Sequence, residues 1–362
     1  MGNIRQRLRR LRAVLRRRKL DGLVATNVHN VRYLSGFSGE DSALLVGLKG
    51  CVLVTDSRYT ETAEKELGPC GIAVHQRKKS LVEALAAQVR RRRLRRVGFE
   101  AADMSVDLHG RLCEEVKRAE LRPTVGLVRE LRQIKDASEI RRIREAVRVA
   151  EEGLRATLGR VRPGVTEKDV ATELDHQMRR LGAEESAFPL IVAAGERASL
   201  PHARPTGRKL AGGEAVLIDW GARLEFYNSD LTRVFFLGTI PRGWQSRYDA
   251  VLRAQEAALQ AVRPGVVART VDGAARRALK RRRLANRFGH GLGHGVGLEI
   301  HENPGLNNQS ETELKPGMVF TVEPGIYFPD WGGIRIEDMV LITSCGKEVL
   351  TRFEKQATQL VI

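Results

Sequence analysis

Ile4, Leu8, Leu11, Val14 and Leu15 recur at three- and four-residue intervals among arginines, which predicts an amphipathic helix with one apolar stripe. Leu23 to Thr26 then reads as a strand and Asn27 to Leu34 as a short helix running to Gly36. Ala43 to Val46 and Cys51 to Thr55 read as two strands joined around Lys49-Gly50. Further helices are expected over Arg58 to Leu67, Leu81 to Arg93 and Val106 to Lys117, with a short strand at Arg96 to Phe99. Helices alternating with short apolar strands make residues 1–127 a small α/β domain. No nucleotide-binding loop or other site motif stands in it.

Leu127 to Gly159 is almost continuously helical in pattern, with Pro163-Gly164 as its stop. Thr166 to Leu181 is a second helix with Thr166 as its N-cap. Strands follow at Leu190 to Ala193, Ala215 to Asp219 and Leu231 to Leu237. The order then recurs. Helices at Trp244 to Val262 and Val271 to Arg282 flank Pro264-Gly265, and strands at Val319 to Glu323 and Ile334 to Ile342 close the chain. Arg-Pro-Gly-Val occurs twice, at Arg162 to Val165 and Arg263 to Val266, which marks an internal duplication of about a hundred residues. Residues 128–362 are therefore expected to form a second domain with a site between its two halves.

At 362 residues and 42% hydrophobic content the composition is that of a water-soluble globular chain. No run of apolar residues is long enough to span a bilayer, and no secretory signal is visible. The expected location is cytoplasmic. Cys51, Cys70, Cys113 and Cys345 lack pair spacing and read as small buried apolar residues in a reducing compartment rather than disulfides or a zinc site. The formal charge of +18 is local: residues 1–20 carry eight Arg and Lys19 without an acid, and Arg90 to Arg96 carry six more Arg. Such runs read as solvated helix faces rather than a nucleic-acid surface, because no motif that reads RNA or DNA accompanies them.

The chemical signal is concentrated between Phe288 and Glu302. His290, His294 and His301 fall within twelve residues of a chain that has only eight His, and five glycines are interleaved with them. Four acids stand at the ends of apolar strands: Asp219 after Val216-Leu217-Ile218, Asp230 before Leu231, Glu323 after Phe320-Thr321-Val322, and Glu337 after Ile334-Arg335-Ile336. A hairpin would bring Asp219 and Asp230 together. Strand alternation puts Arg335 and Glu337 on one face and Ile334 and Ile336 on the core face, which favours Glu337 over Asp338 as the inward acid. Four carboxylates crowded at one site repel one another, and divalent cations resolve the conflict. Two such ions balance four carboxylates, and oxygen-rich ligation with one imidazole suits Mn²⁺, Co²⁺, Fe²⁺ or Zn²⁺. Ions paired about 3.5–4 Å apart are a common hydrolytic device.

Leu200-Pro201-His202-Ala203-Arg204-Pro205, Ile218 to Ala222, Ser229 to Arg233, Gly289 to Glu302, Thr321 to Gly325 and Gly333 to Asp338 together resemble the pita-bread metallopeptidases, the family of methionine aminopeptidase, prolidase and aminopeptidase P. Asn30 to Phe37 and Asp56-Ser57-Arg58-Tyr59 resemble the creatinase-type N-terminal domain, so the Arg-rich start reads as mature structure rather than a transit peptide. The expected fold is α+β: a C-terminal pita-bread domain with pseudo-twofold halves, preceded by a smaller α/β domain. The resemblance implies five metal ligands, Asp219, Asp230, His294, Glu323 and Glu337, holding two divalent ions, with Mn²⁺ first among them. It implies that His202 and His301 hydrogen-bond substrate and the tetrahedral intermediate. His290 becomes a third substrate-side histidine and Tyr327 a wall of the proline pocket. Arg335 is implied to orient a ligand carboxylate, and Glu323 to shuttle a proton to the leaving nitrogen. Two positions depart from the family pattern: Phe226 stands where glycine is usual, and Arg197 lies in a loop that often carries Asn.

The implied activity is Xaa-Pro aminopeptidase, with a prolidase acting on Xaa-Pro dipeptides as the alternative. A metal-free relative that binds protein or RNA is a remote third reading. The implied partners are a peptide with penultimate proline and a second copy of the chain, with no membrane and no nucleic acid.

Overall fold

The computed structural model describes residues 2–362. The chain divides into two compact units, 1–132 and 133–362.

The first unit is a six-stranded mixed sheet built from β1 (Gly22–Ala25), β2 (Ser42–Gly47), β3 (Cys51–Thr55), β4 (Ala73–Gln76), β5 (Arg96–Glu100) and β6 (Glu120–Thr124), in the order β4-β3-β2-β1-β5-β6. β1, β2 and β3 pair antiparallel, and the outer pairs are parallel. The helices are α1 (Gly2–Arg17), α2 (Val28–Ser35), α3 (Thr60–Leu67), α4 (Leu81–Arg91), α5 (Val106–Glu115) and α6 (Leu127–Arg132). Every residue of β1, β2 and β3 is buried, as expected of strands covered on both faces. Val24, Leu45 and Val54 share a core with Leu85, Val89 and Leu112 of α4 and α5. The apolar stripe of α1 is buried through Leu8, Leu11 and Leu15. The edge strands β4 and β6, which the hydrophobic pattern does not announce, are largely exposed, and β6 contains Pro123.

The second unit contains α7 (Ala137–Thr157), α8 (Glu167–Arg180), α9 (Trp244–Ala261) and α10 (Ala268–Arg281). The pattern across Leu127 to Gly159 predicts one helix, but the chain breaks between α6 and α7. Asp136 closes a capping box with Glu139 there and starts α7 afresh. Lys135, just before it, is buried against Glu302 at 2.7 Å.

The duplication is visible bond by bond. After α7, the Gly164 N–H donates to the Leu210 carbonyl, and the Leu210 N–H donates to that of Val165. After α9, Gly265 and Leu314 do the same, with Val266 in the place of Val165. Gly164 and Gly265 have φ of +88° and +81°, a left-handed turn that glycine adopts without strain.

The strands of the first half are β7 (Glu185–Ser186), β8 (Ile191–Ala194), β9 (Ala215–Trp220), β10 (Ala222–Leu224), β11 (Tyr227–Asn228) and β12 (Leu231–Phe236). Those of the second are β13 (Gly293–Gly295), β14 (Glu302–Leu306), β15 (Val319–Val322), β16 (Gly325–Phe328), β17 (Gly332–Arg335), β18 (Asp338–Ile342) and β19 (Lys347–Val349). The sheets run β12-β9-β8 and β14-β13-β15-β18-β19, with small sheets β11-β10-β7 and β16-β17 beside them. An isolated bridge between Thr232 and Glu337 joins the two halves. The stretch read as one strand, Ile334 to Ile342, is two strands parted at Ile336-Glu337, which is where that bridge forms.

Beside the bridge lies a buried ion pair. Arg233 Nη2 donates to Asp338 Oδ1 at 2.7 Å, and its other N–H groups reach the carbonyls of Thr232, Glu337, Phe353 and Glu354. Asp338 also accepts from Gln255, Thr351 and Lys355, so its charge is fully solvated by protein. Both Glu337 and Asp338 thus face inward, Asp338 into this clamp, which corrects the expectation that only one would. Removing one partner of a buried pair strands the other charge in a medium that cannot solvate it. Asp338→Ala is expected to lose about 3–5 kcal/mol of folding stability, read from the midpoint of urea unfolding.

Candidate metal centre and active site

The site is built from strand ends. Antiparallel pairing sets Asp219 of β9 opposite Thr232 of β12, and the β10–β11 hairpin between them returns Asp230 to the same end. β13 brings His294 alongside, with Gly295 paired to Phe320 of β15, and Glu323 follows directly from β15. Glu337 arrives through the bridge to Thr232. A side chain at Gly293 would overlap the Thr321 carbonyl, so the glycine before His294 is needed for the strands to close. All five predicted ligands line one cavity of about 640 Å³, together with His202, His290, His301, Tyr327 and Arg335. Every site residue named from the sequence is therefore in one place.

Asp230, His294 and Glu337 offer ligand atoms that all lie within 4.8 Å of one another. Asp219 and Glu323 stand beside this triad on the cavity wall. The imidazole of His294 is oriented by its Nδ1, 3.2 Å from the Gly295 carbonyl, which accepts the Nδ1 proton. That leaves the Nε2 lone pair facing Asp230 Oδ2 at 3.4 Å and Glu323 Oε1 at 3.3 Å. Three lone-pair donors pointing at one another form a cradle for a cation. Asp219 shows the same need: its Oδ2 accepts from Arg335 Nη2 at 2.6 Å, while its buried Oδ1 has no protein partner.

Electrostatics record the strain. Burial, followed by repulsion from Glu337, Asp219 and Glu323, pushes the Asp230 carboxyl well above the usual range. Burial, then Glu323 and Asp219, does the same to Glu337. Burial lifts Glu323 to about 7, with Asp219 adding to it and Arg335 opposing. Burial lowers His294, keeping it neutral and able to ligate. The donor set of carboxylates and one imidazole fits hard or borderline divalent ions.

Around the acids runs a second network. Arg335 Nη1 donates to the Tyr327 hydroxyl at 2.8 Å and Nε to Thr232 Oγ1 at 3.1 Å, and Thr232 Oγ1 donates to Glu337 Oε2 at 2.6 Å. With its oxygen accepting from Arg335, Tyr327 turns its own proton to His290 Nε2, 3.0 Å away, and His290 Nδ1 donates to the Gly291 carbonyl at 2.8 Å. Burial lowers His290 to about 4, so it stays neutral and in that tautomer. Tyr327 is therefore held at both sides of its hydroxyl, which makes it a fixed wall of the cavity. His202 and His301 are exposed at the mouth, and the rings of His301 and His294 meet edge to face at 4.2 Å. Sequence reasoning gave no role to Thr232, although it lies within the Ser229 to Arg233 stretch, or to Thr321, whose Oγ1 accepts the His294 N–H and donates to Glu323. Their signal was available in principle: each is a threonine in a fully buried strand, next to or near a proposed ligand.

A family model described as metallopeptidase family M24 matches residues 141–344, and one described as creatinase/prolidase N-terminal domain matches residues 7–134. The Xaa-Pro dipeptidase of Pyrococcus furiosus is 34% identical over 98% of this chain and 99% of its own length. A solved Xaa-Pro dipeptidase from Bacillus anthracis superposes with a TM-score of 0.95 at 37% identity, over 99% of this chain and 100% of the other. An X-Pro aminopeptidase from Thermotoga maritima superposes at 0.89 with 33% identity, over 95% and 98%. The chain belongs to metallopeptidase family M24. Its second unit has the pita-bread fold, its first is a creatinase-type domain, and the family implies divalent metal.

Among the described residues no helix is long and apolar enough to cross a membrane.

Because Asp230, Glu323 and Glu337 hold protons above the usual carboxylate range, a metal entering the site must displace them. Binding is therefore expected to release protons near neutrality and to weaken as pH falls, by about tenfold per unit for each proton displaced. Calorimetric titration in two buffers of different ionisation enthalpy measures that release.

Proposed function

We propose that this chain is an Xaa-Pro dipeptidase that hydrolyses the bond before proline with two divalent ions, Mn²⁺ first among them. The observation that carries the reading is end-to-end similarity to proteins named Xaa-Pro dipeptidase, by sequence and by fold, around a cavity with a complete acidic donor set. It reverses the order expected from the sequence, where aminopeptidase came first. The Thermotoga maritima neighbour keeps the aminopeptidase reading as the alternative.

In this reading Asp219, Asp230, His294, Glu323 and Glu337 hold the ions. Bound there, the ions would acidify a water and polarise the scissile carbonyl. The protein does the rest. His202 and His301 donate hydrogen bonds to the carbonyl oxygen as charge develops on it. Glu323, on the cavity wall beside the ions, carries a proton to the prolyl nitrogen. Arg335 fixes Asp219 and, through Thr232, Glu337, so the acids keep their aim. His290 and the pinned Tyr327 form the wall against which the proline ring packs. A homodimer in the cytoplasm is the assembly and location that the resemblance supports.

Two experiments test the reading. Glu337→Ala should lose metal and activity together, by elemental analysis and assay, whereas His301→Ala should keep its metal and lose about a hundredfold or more in kcat. Full activity in His301→Ala would overturn its role. Chromatography of an Xaa-Pro dipeptide and an Xaa-Pro-Yaa tripeptide, each incubated with enzyme and Mn²⁺, should show cleavage of the dipeptide alone. Release of the first residue from the tripeptide, with the dipeptide untouched, would make the enzyme an aminopeptidase.

A further inference from the structure

Two basic runs have no part in the catalytic site: the start of the chain, and Arg90 to Arg96. Both lie in the first unit, and none of their residues lines the catalytic cavity. Arg5, Arg9, Arg12 and Arg16 follow one another on α1 at four-, three- and four-residue intervals, so they share one face of the helix over about 16 Å. Arg5, Arg9 and Arg16 are exposed, and their side chains have no hydrogen bond or ion pair among the described residues. Cations late in a helix are stabilised by its dipole, which accounts for Arg16 and Arg17. Arg5 stands in the first turn, where the dipole opposes it and no acid offsets it. Helix stability therefore does not explain this face.

The fold joins the face to the second run. Arg12 Nε donates to the Gly47 carbonyl at the end of β2, at 3.1 Å. Burial pushes the Cys51 thiol at the start of β3 up to about 12, and both Arg12 and Arg92 oppose that rise, so the two guanidiniums flank one end of the sheet. Lys49 is exposed in the turn that links β2 to β3. Arg91 and Arg92 line a cavity of about 320 Å³ with His75 of the edge strand β4 and the buried Gln88, whose side-chain oxygen accepts from Arg92. The acids at this end are already engaged. Asp21 Oδ2 accepts the N–H groups of Arg95 and Arg96 at 3.0 and 2.8 Å, and Glu115 pairs with Arg90 at 3.4 Å. Lys49, Arg91 and Arg93 have no such partner among the described residues.

A line of unpaired guanidiniums is a receptor for a line of anions, and the guanidinium fork matches phosphate geometry. Duplex nucleic acid supplies about one negative charge per 1.7 Å of its axis. A bilayer surface fits less well. Helices that lie on a membrane insert an apolar face, and the apolar stripe of α1, Leu8, Leu11 and Leu15, is buried within the protein. Single strands are held by stacking on aromatic rings, and no Trp, Tyr or Phe occurs in α1, in the turn after β2 or in Leu81 to Arg96. We propose that the face running from α1 across the β2–β3 turn to the end of α4 binds the phosphate backbone of duplex nucleic acid without reading its sequence. This replaces the expectation of solvated helix faces. The two runs are far apart in the chain and become one surface only when β2 and β3 pair. The proposal is independent of the dipeptidase reading.

Fluorescence anisotropy of a labelled DNA duplex of arbitrary sequence, titrated with the full chain, tests it. With about five phosphates engaged, affinity should fall roughly 500-fold between about 50 and about 200 mM salt. Arg9→Gln with Arg16→Gln, and separately Arg91→Gln with Arg93→Gln, should each lower the slope of log affinity against log salt by about 2 and weaken binding about tenfold or more at the lower salt. Arg281→Gln with Arg282→Gln removes equal charge from exposed positions at the end of α10 and should change neither quantity. All three double variants should keep the wild-type midpoint of urea unfolding, so that lost binding is not lost fold. Equal loss of binding in the α10 variant would overturn the proposal, because general basicity would then be the cause. Wild type that binds vesicles containing phosphatidylserine but not the duplex would overturn it in favour of a membrane surface. Tighter binding to a single strand of the same length would overturn the duplex assignment.

Discussion

Carboxylates that share one buried site govern this structure. Asp219, Asp230 and Glu337 are each more than nine-tenths buried, and Glu323 lies beside them. Burying one ionised acid is costly, and burying several within contact is costlier, because each raises the field at the others. The fold meets part of the demand with one cation, Arg335, whose charge is sustained against its own burial by Tyr327, Asp219, Glu323 and Glu337. One guanidinium cannot neutralise four acids. The remaining deficit is what makes the site a cation receptor, and it accounts for the orphaned oxygen of Asp219 and the opposed lone pairs of His294 and its neighbours.

The duplicated scaffold makes this crowding tolerable. Each half delivers its acids from strand ends, where the backbone is already committed to sheet hydrogen bonds and little extra ordering is needed. Thr232 and Glu337 tie the halves by main-chain pairing, and the Thr232 hydroxyl links Arg335 to Glu337. Arg233, the next residue, turns the other way and neutralises Asp338. Neighbouring residues on one strand thus serve two buried acids on opposite sides of the sheet. Asp338 is fully paired and burial does not keep it from ionising, so its carboxyl is held down to about 2 by Arg233 and Lys355. Glu337, next to it and lacking a full cation of its own, moves in the opposite direction. Adjacent carboxylates with opposite shifts separate a structural acid from one left available for metal.

Much of this was legible in the sequence because chemistry at strand ends leaves local marks. An apolar triplet followed by an acid, as at Ile218-Asp219 and Val322-Glu323, gives both the strand and the reason to ask what its acid binds. The clustered histidines marked where an imidazole ligand would come from, the family resemblance singled out His294 among them, and the repeated Arg-Pro-Gly-Val marked the duplication. What escaped depended on long-range pairing. The break at Gln133 to Asp136 is set by a capping box and by Lys135 meeting Glu302, far along the chain. The strand Ile334 to Ile342 divides because Glu337 pairs with Thr232 instead of continuing its own ladder. The inward turn of Asp338 needs Arg233 as a partner, which alternation on a single strand cannot reveal. The edge strands β4 and β6 are exposed, so burial never imposed an alternating pattern on them.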